Sequence, residues 1–358
     1  MGKRYDYQAI KQWVKRIYEA YGFSEHNSAI IARSIVVTDL YGIESHGVQR
    51  LAMYDRKISD GDIKVGAVPE IVRETPVSAV LDGHKSMGQL VAYEAMALAI
   101  EKAEQSGIGI ISVRNSNHYG MAGYYAKMAS DKGMLGISAT NSNPFLIPTH
   151  AIQPFLGSNP LAFAMPADPH DFLYDAATTV ASLGKIEVYA KQGKKIPGAW
   201  AVDECNEISR DANILRKYLS NSPKVGGILP VGGQGEENGG YKGFGNGLIV
   251  EILTAILSQG HLSADLGSGK VKGISHFFMA VDLGLFGDPN AIAEALSTML
   301  ERIRSLPHEL GKKIYTHGDK EAAAFDDRLK NGIPIDPETL NEMAALSERL
   351  HVPYQSYL

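Results

Sequence analysis

The 358-residue sequence predicts an α/β protein with a helical part drawn from both ends of the chain. Three observations carry that expectation. Apolar residues recur at three-to-four spacing over the first part, short β-branched runs alternate with helical patterns from about residue 76, and an amphipathic pattern returns at 337–350. The expected division is residues 1–75 with 322–358 as a helical unit and 76–321 as a mixed α/β unit.

The elements follow in chain order. Ile10, Trp13, Val14, Ile17 and Tyr21 share one helical face, and Gly22 offers a stop. Ser24 is a suitable N-cap for a second helix, in which Ile31, Ile35 and Val36 stand at buried spacing up to Leu40. Gly42 and Gly47 then break the pattern. Past the turn signals Asp60-Gly61 and Val68-Pro69, Val77–Leu81 reads as a strand, Gln89–Gln105 as a helix closed by Gly107, and Ile108–Val113 as a buried strand. Tyr119–Asp131 is again helical, and strands are expected at Leu135–Ala139, Leu161–Met165, Phe172–Ala176 and His276–Val281. Lys242–Ser258 carries apolar residues nearly all round, which predicts a well-buried helix, and Lys313-Ile314-Tyr315 is strand-like. The glycine-rich stretch Val225–Gly243 reads as a loop that brings its backbone close to a ligand. Pro337–Leu350 closes the chain as an amphipathic helix.

Composition narrows the function classes. A hydrophobic share of 44% supports a sizeable core, and a net charge of -5 argues against nucleic acid or an anionic membrane surface as partner. No apolar run reaches the roughly 20 residues that span a bilayer. The N-terminus lacks an apolar leader, and Asp6 stands where a myristoylation signal needs Ser or Thr. The single cysteine, Cys205, precludes an intrachain disulfide and suits a reducing, cytoplasmic setting.

Common catalytic signatures are missing: the chain has no G-x-G-x-x-G, no phosphate-binding G-x-x-x-x-G-K-[ST], no H-E-x-x-H and no G-x-S-x-G. The most informative stretch is Ser45-His46-Gly47-Val48-Gln49-Arg50. Reduction of a 2-oxo acid needs a proton donor poised near neutral pH and a bidentate partner for the carboxylate, which are the chemistries of His and Arg. Spacing alone fits a solvated surface pair at least as well.

Further polar clusters end predicted strands. Asn115-Ser116-Asn117-His118-Tyr119-Gly120 leads into a helix, where free backbone N–H groups suit an anion, though a capped turn with a structural His118 reads equally well. Thr140-Asn141-Ser142-Asn143-Pro144 and Gly157-Ser158-Asn159-Pro160 could bond a carboxamide or simply form Asx-turns. Asp175-Ala176-Ala177-Thr178-Thr179 sets one acid among small residues; beside His46 it would fix the imidazole tautomer, and otherwise it is a solvated strand-end acid. Gly239–Gly243 and Thr316-His317-Gly318-Asp319-Lys320 could each meet a cofactor through backbone, or only turn the chain.

These clusters, together with Gly184-Lys185-Ile186, Ile196–Asp203, Leu229-Pro230 and His276-Phe277-Phe278, occur in an order that resembles the malate/L-lactate dehydrogenase family across nearly the whole chain. The resemblance implies a homodimer that interconverts 2-oxo and 2-hydroxy acids with NAD or NADP on a largely antiparallel mixed sheet, not the usual Rossmann fold. It implies His46 as proton donor, Ser45 and Asp175 as its relay partners, Arg50 as the carboxylate clamp and His118 as a second acid/base candidate. Around the dinucleotide it places His118, Tyr119, Gly120, Asn141, Ser142, Asn143, Asp175, Ala176, Ala177, Thr178, Gly318 and Asp319. The family's usual Pro-Gly-Glu is here His317-Gly318-Asp319. Malate is the expected substrate, with L-lactate, ureidoglycolate or a related acid as the alternative. A metal-dependent hydrolase that uses His46, His118 and Asp175 as ligands is the alternative from another class.

Overall fold

A computed structural model describes residues 3–213, 226–267, 269 and 271–354. After a two-residue strand β1 (Arg4–Tyr5), the Asp6 carboxylate caps α1 (Tyr7–Ala20) by accepting the Ala9 N–H. The Ser24 hydroxyl caps α2 (Glu25–Leu40) in the same way through Asn27. Two tight 3-10 turns, Glu44–His46 and Val48–Arg50, then run into α3 (Leu51–Ser59). Gly42, at a φ of 81°, and Gly47 frame the bend that the sequence predicted.

The helices bury Trp13, Ile17, Ile31, Ile35 and Tyr54 in one core with Met343 and Leu346 of the C-terminal helix Pro337–Leu350. Ile333–Pro334 (β12) pairs antiparallel with β1, so the two ends of the chain close this layer together. Met87 and Leu90, from the start of the α/β region, also enter that core and tie the layers to each other.

The second layer is a seven-stranded mixed sheet. Its strands are β2 (Glu70–Glu74), β3 (Ser78–Asp82), β4 (Ile108–Ser116), β5 (Met134–Thr140), β6 (Leu161–Met165), β7 (Phe172–Ala176) and β11 (Ile274–Asp282). They lie in the order β2-β3-β4-β11-β5-β6-β7, and only β3 and β4 run parallel. Helices α4 (Gly88–Ser106) and α5 (Ala122–Ser130) cover one face and bury Val91, Met96, Tyr125 and Ala126 against Ile111, Val113 and Phe278. Gly109 and Gly136 let them approach, since a Cβ would fall 1.9 Å from the Ala99 carbonyl oxygen and 2.1 Å from that of Ala126. Further along, α6 (Leu183–Lys191) packs with a small sheet of β8 (Ala201–Val202), β9 (Ile208–Ser209) and β10 (Gly227–Ile228).

Four sequence expectations need correction. The helix expected from Tyr119 starts at Ala122, because Gly120 adopts a left-handed φ of 84°. Helix α7 (Gly240–Glu251), continued by a π turn at Ile252–Ile256, buries Val250 against Ala139 and Phe277 but leaves Leu248, Ile249, Ile252 and Ile256 exposed. It is therefore not the encircled helix that its composition predicted. Lys313–Tyr315 forms no strand. Beyond the short α8 (Ser263–Leu266), the helices α9 (Pro289–Arg304) and α10 (Asp319–Asn331) precede the C-terminal α11 (Pro337–Leu350), and the sequence reading had neither α9 nor α10. The loop expected at 225–243 turns through Pro230–Gly239 before α7; its first residue lies outside the described residues.

Candidate active site

Strand directions bring the polar clusters to one edge of the sheet. The C-terminal ends of β3, β4, β5 and β7 and the N-terminal ends of β6 and β11 meet there, because β6 and β11 run antiparallel to their neighbours. The turn between α2 and α3 lies against this edge. Its His46 ring stacks on the His118 ring with centroids 5.5 Å apart and planes 20° apart.

A buried carboxyl builds the His46 turn. Asp39, near the end of α2, accepts the Val48 N–H at 2.9 Å, and a Cβ on Gly47 would fall 1.9 Å from its Oδ1. Glycine at 47 is thus a matter of close approach, not of a left-handed φ. Arg328 of α10 donates to the Asp39 carbonyl at 2.6 Å and pairs with Glu44. Burial pushes the Asp39 carboxyl up to about 8, against the lowering effect of the Val48 N–H.

Within the turn, Ser45 Oγ lies 2.9 Å from His46 Nδ1, and Arg50 Nε donates to the Ser45 carbonyl at 2.5 Å. The outer guanidinium nitrogens of Arg50 lie 3.3 and 3.4 Å from Glu187 Oε2 on α6. Gly184 gives the guanidinium room, since a Cβ there would sit 2.8 Å from Arg50 Nη2. The two nitrogens share a single Glu187 oxygen, so Arg50 holds an internal carboxylate loosely and not in a two-oxygen fork. His46 is half-buried; desolvation first, and then the Arg50 charge, lower its imidazole to about 4. Desolvation, followed by the His46 charge, holds His118 well below the ordinary histidine range. Both rings are therefore neutral at pH 7.

The structure brings Ser45, His46, Arg50, His118 and Gly120 together; an ideal Cβ on Gly120 would lie 4.0 Å from the His46 carbonyl oxygen. It treats other expected residues differently. Asp175 accepts the Gly123 N–H of α5 at 2.7 Å instead of bonding the His46 ring, and burial raises its carboxyl to about 6. The Tyr119 ring stacks at 4.5 Å on buried His276, whose two nitrogens bond Thr140 and Ser116 at 2.8 Å. Asn141 spends both ends of its amide, donating to the His261 carbonyl at 3.0 Å and accepting the Ser275 N–H at 2.9 Å. Ser142 Oγ accepts the Ser158 N–H, and the Thr178 hydroxyl donates to the Ser158 carbonyl. Asn143, Ala176 and Ala177 stay exposed or half-exposed.

Gly318 and Asp319 sit at the other end of β7. The His317 carbonyl accepts the Leu173 N–H, and the Asp319 carboxylate is held by Arg304, His170 and the Thr316 N–H. Asp39, Tyr54, Gln89 and Glu187 were missed. The nearest signal for the first was an acid in an apolar helix eight residues before Gly47-Val48. The others come from distant segments, and no local pattern marks them.

The hydrolase alternative loses its ligand set. Among the described residues no group of three His, Cys, Asp or Glu side chains is placed to hold a metal ion. What the fold and turn support instead is a hydroxy-acid oxidoreductase built outside the doubly wound dinucleotide folds.

The comparisons carry that class to a family. The malate dehydrogenase of Pyrococcus horikoshii is 43% identical over 343 residues, covering 95% of this chain and 93% of the relative. The malate/(S)-sulfolactate dehydrogenase of Methanothermus fervidus is 34% identical, covering 94% and 95%. Among solved structures, malate dehydrogenase from Entamoeba histolytica superposes with a TM-score of 0.95 at 31% identity, covering 99% of both chains. The profile of the family described as malate/L-lactate dehydrogenase matches residues 5–344, and this chain belongs to that family.

Proposed function

We propose that this protein is an NAD(P)-dependent malate dehydrogenase that interconverts oxaloacetate and malate, with His46 as proton donor and Arg50 as carboxylate clamp. The observation that carries the reading is the His46 ring, stacked on His118 and one turn from the Arg50 guanidinium, which lies beside the Glu187 carboxylate. Malate is chosen because the Pyrococcus horikoshii relative is a malate dehydrogenase. Sulfolactate is the second reading, since the Methanothermus fervidus relative acts on it as well.

The small residues of the sheet edge suit a planar group that packs on backbone. Gly120, two residues past His118, has no side chain, and Ala176 and Ala177 leave the end of β7 without bulk. His118, Gly120, Asn143, Ala176 and Ala177 would hold an NAD or NADP, which supplies the hydride when bound. The chain's own part is to place a carboxylate on Arg50 and to deliver one proton to the oxygen of the reduced carbon. Desolvation and, second to it, the Arg50 charge oppose protonation of His46. A substrate carboxylate beside the ring adds a negative charge that favours the protonated imidazole, against the desolvation that lowers it most. Ser45 Oγ can accept the resulting Nδ1–H and orient the ring.

The division into 1–75 with 322–358 and 76–321 is proposed as the division between a substrate-side and a cofactor-side unit. The expected homodimer has a surface to use: Leu248, Ile249, Ile252 and Ile256 form one exposed apolar face of α7 and its π turn. Ile252→Lys, followed by light scattering, should leave a monomer if that face joins two copies. A cytoplasmic location is our reading of the single cysteine.

The substrate test is a panel of 2-oxo acids at fixed NADH or NADPH, followed by loss of nicotinamide absorbance. Oxaloacetate should give the highest kcat/KM. Turnover of pyruvate or sulfopyruvate at least as fast would overturn malate, and strict failure of both dinucleotides would overturn the whole reading.

A further inference from the structure

A chain of three polar groups ends on His118 and has no part in the roles assigned so far. Gln89, in the first turn of α4, donates its Nε2–H to the Tyr54 hydroxyl at 2.7 Å. Tyr54 Oη in turn lies 2.7 Å from His118 Nδ1. Gln89 and Tyr54 are both fully buried, one from each layer, and Gln89 Oε1 is buried with no partner.

Donor counting fixes the direction of this chain. A tyrosine hydroxyl has one proton to give. With the Gln89 amide directed at its oxygen, Tyr54 gives that proton to His118 Nδ1, and the neutral imidazole then carries its own hydrogen on Nε2. Burial supports both protonation states, since it raises the Tyr54 phenol and lowers the His118 imidazole. The opposite orientation of the amide would reverse every donor and leave Nε2 bare.

We infer that Gln89 and Tyr54 are positioning residues that lock His118 as the Nε2–H tautomer, a fixed hydrogen-bond donor toward the substrate oxygen. The inference rests on the proposed reaction and divides its labour. His118 polarises the carbonyl without changing protonation state, and His46 moves the proton. A donor already aligned before substrate arrives costs no reorganisation at the moment of hydride transfer.

The tautomer can be read without any turnover. In long-range proton–nitrogen spectra of histidine-labelled protein at pH 7, the His118 signals, identified by their loss in His118→Asn, should show a protonated Nε2 and a bare Nδ1. Tyr54→Phe should give a mixture of tautomers. Gln89→Leu, which leaves the Tyr54–His118 contact in place, should do the same by freeing the Tyr54 proton. In kinetics Tyr54→Phe should lower kcat about tenfold, the worth of one hydrogen bond, with KM little changed and the pH limb of His46 kept. A protonated Nδ1 in the native protein, or a tautomer unmoved in both variants, overturns the inference. If instead no 2-oxo acid is reduced, the proposed reaction fails while the nitrogen spectra still report the lock.

Discussion

The two regions that meet at His46 and His118 spend their polar side chains differently. On the sheet edge, Asn141, Ser142, Thr178 and His276 are tied to carbonyls, N–H groups and hydroxyls of neighbouring strands and loops. In the α2–α3 turn, by contrast, His46 and Arg50 stay half-buried and pair with two other members of the site, Ser45 and Glu187. Six strand ends converge on the edge, each releases backbone groups that need partners, and the nearest small polar side chains supply them. In the turn, Asp39 below it accepts the Val48 N–H, so neither His46 nor Arg50 is needed for that backbone group. A polar cluster therefore signals function only where something else has paired the backbone.

That contrast can be broken at either region. The largest effect is expected from His46→Ala, which should lower kcat by roughly 10²–10⁴-fold, as for a lost general acid. The melting temperature should barely move, because a half-exposed ring is removed. Steady-state rates and thermal melts check this, and a kcat within tenfold of the native value would remove His46 from the reaction.

The second concerns the support of the turn. The Asp39 carboxyl is raised from 3.8 to about 8, so the folded state holds a proton that the unfolded chain has lost between those values. Its contribution is intact below about pH 4 and falls away as pH rises toward 8. Asp39→Asn keeps an acceptor for the Val48 N–H and removes that dependence. Urea unfolding at pH 5 and 9 should show the variant gaining on the native protein at the higher pH; a constant difference would place the Asp39 charge elsewhere.

On the sheet side, Asn141→Ala should cost about 1–3 kcal/mol of stability by orphaning a buried N–H and a buried carbonyl. The KM for the dinucleotide should be unchanged. Should KM rise while denaturant unfolding stays put, Asn141 binds the cofactor and the contrast fails. The smallest effect is at the clamp. Arg50→Lys keeps the charge but loses the fork, so KM for the 2-oxo acid should rise about tenfold, near 1.4 kcal/mol. An unaltered KM would mean that the carboxylate binds another group.

Much of the fold was legible because local patterns persist in the structure. Strands Leu161–Met165 and Phe172–Ala176 and helix Pro337–Leu350 have the bounds that the sequence predicted. Helices α9 and α10 escaped because their apolar contacts are few; α10 has no buried residue and the one fully buried side chain of α9 is Leu300. For α7 the composition misled in the other direction. An apolar face looks the same in sequence whether the chain itself covers it or not, and here four of its large side chains remain exposed.

By itself the sequence determined the α/β class, the helical ends, the absence of the glycine fingerprint and the Ser45-His46-Gly47-x-x-Arg50 turn as the place to look. These are properties of spacing and residue type, which neighbours along the chain decide. Only the tertiary structure decided that His46 stacks on His118, that Asp175 holds Gly123, that Glu187 rests on Arg50 and that Tyr54 and Gln89 stand behind His118. The residues in those contacts lie from 35 to 137 positions apart. Strand order and layer packing set such meetings, and no local pattern records them.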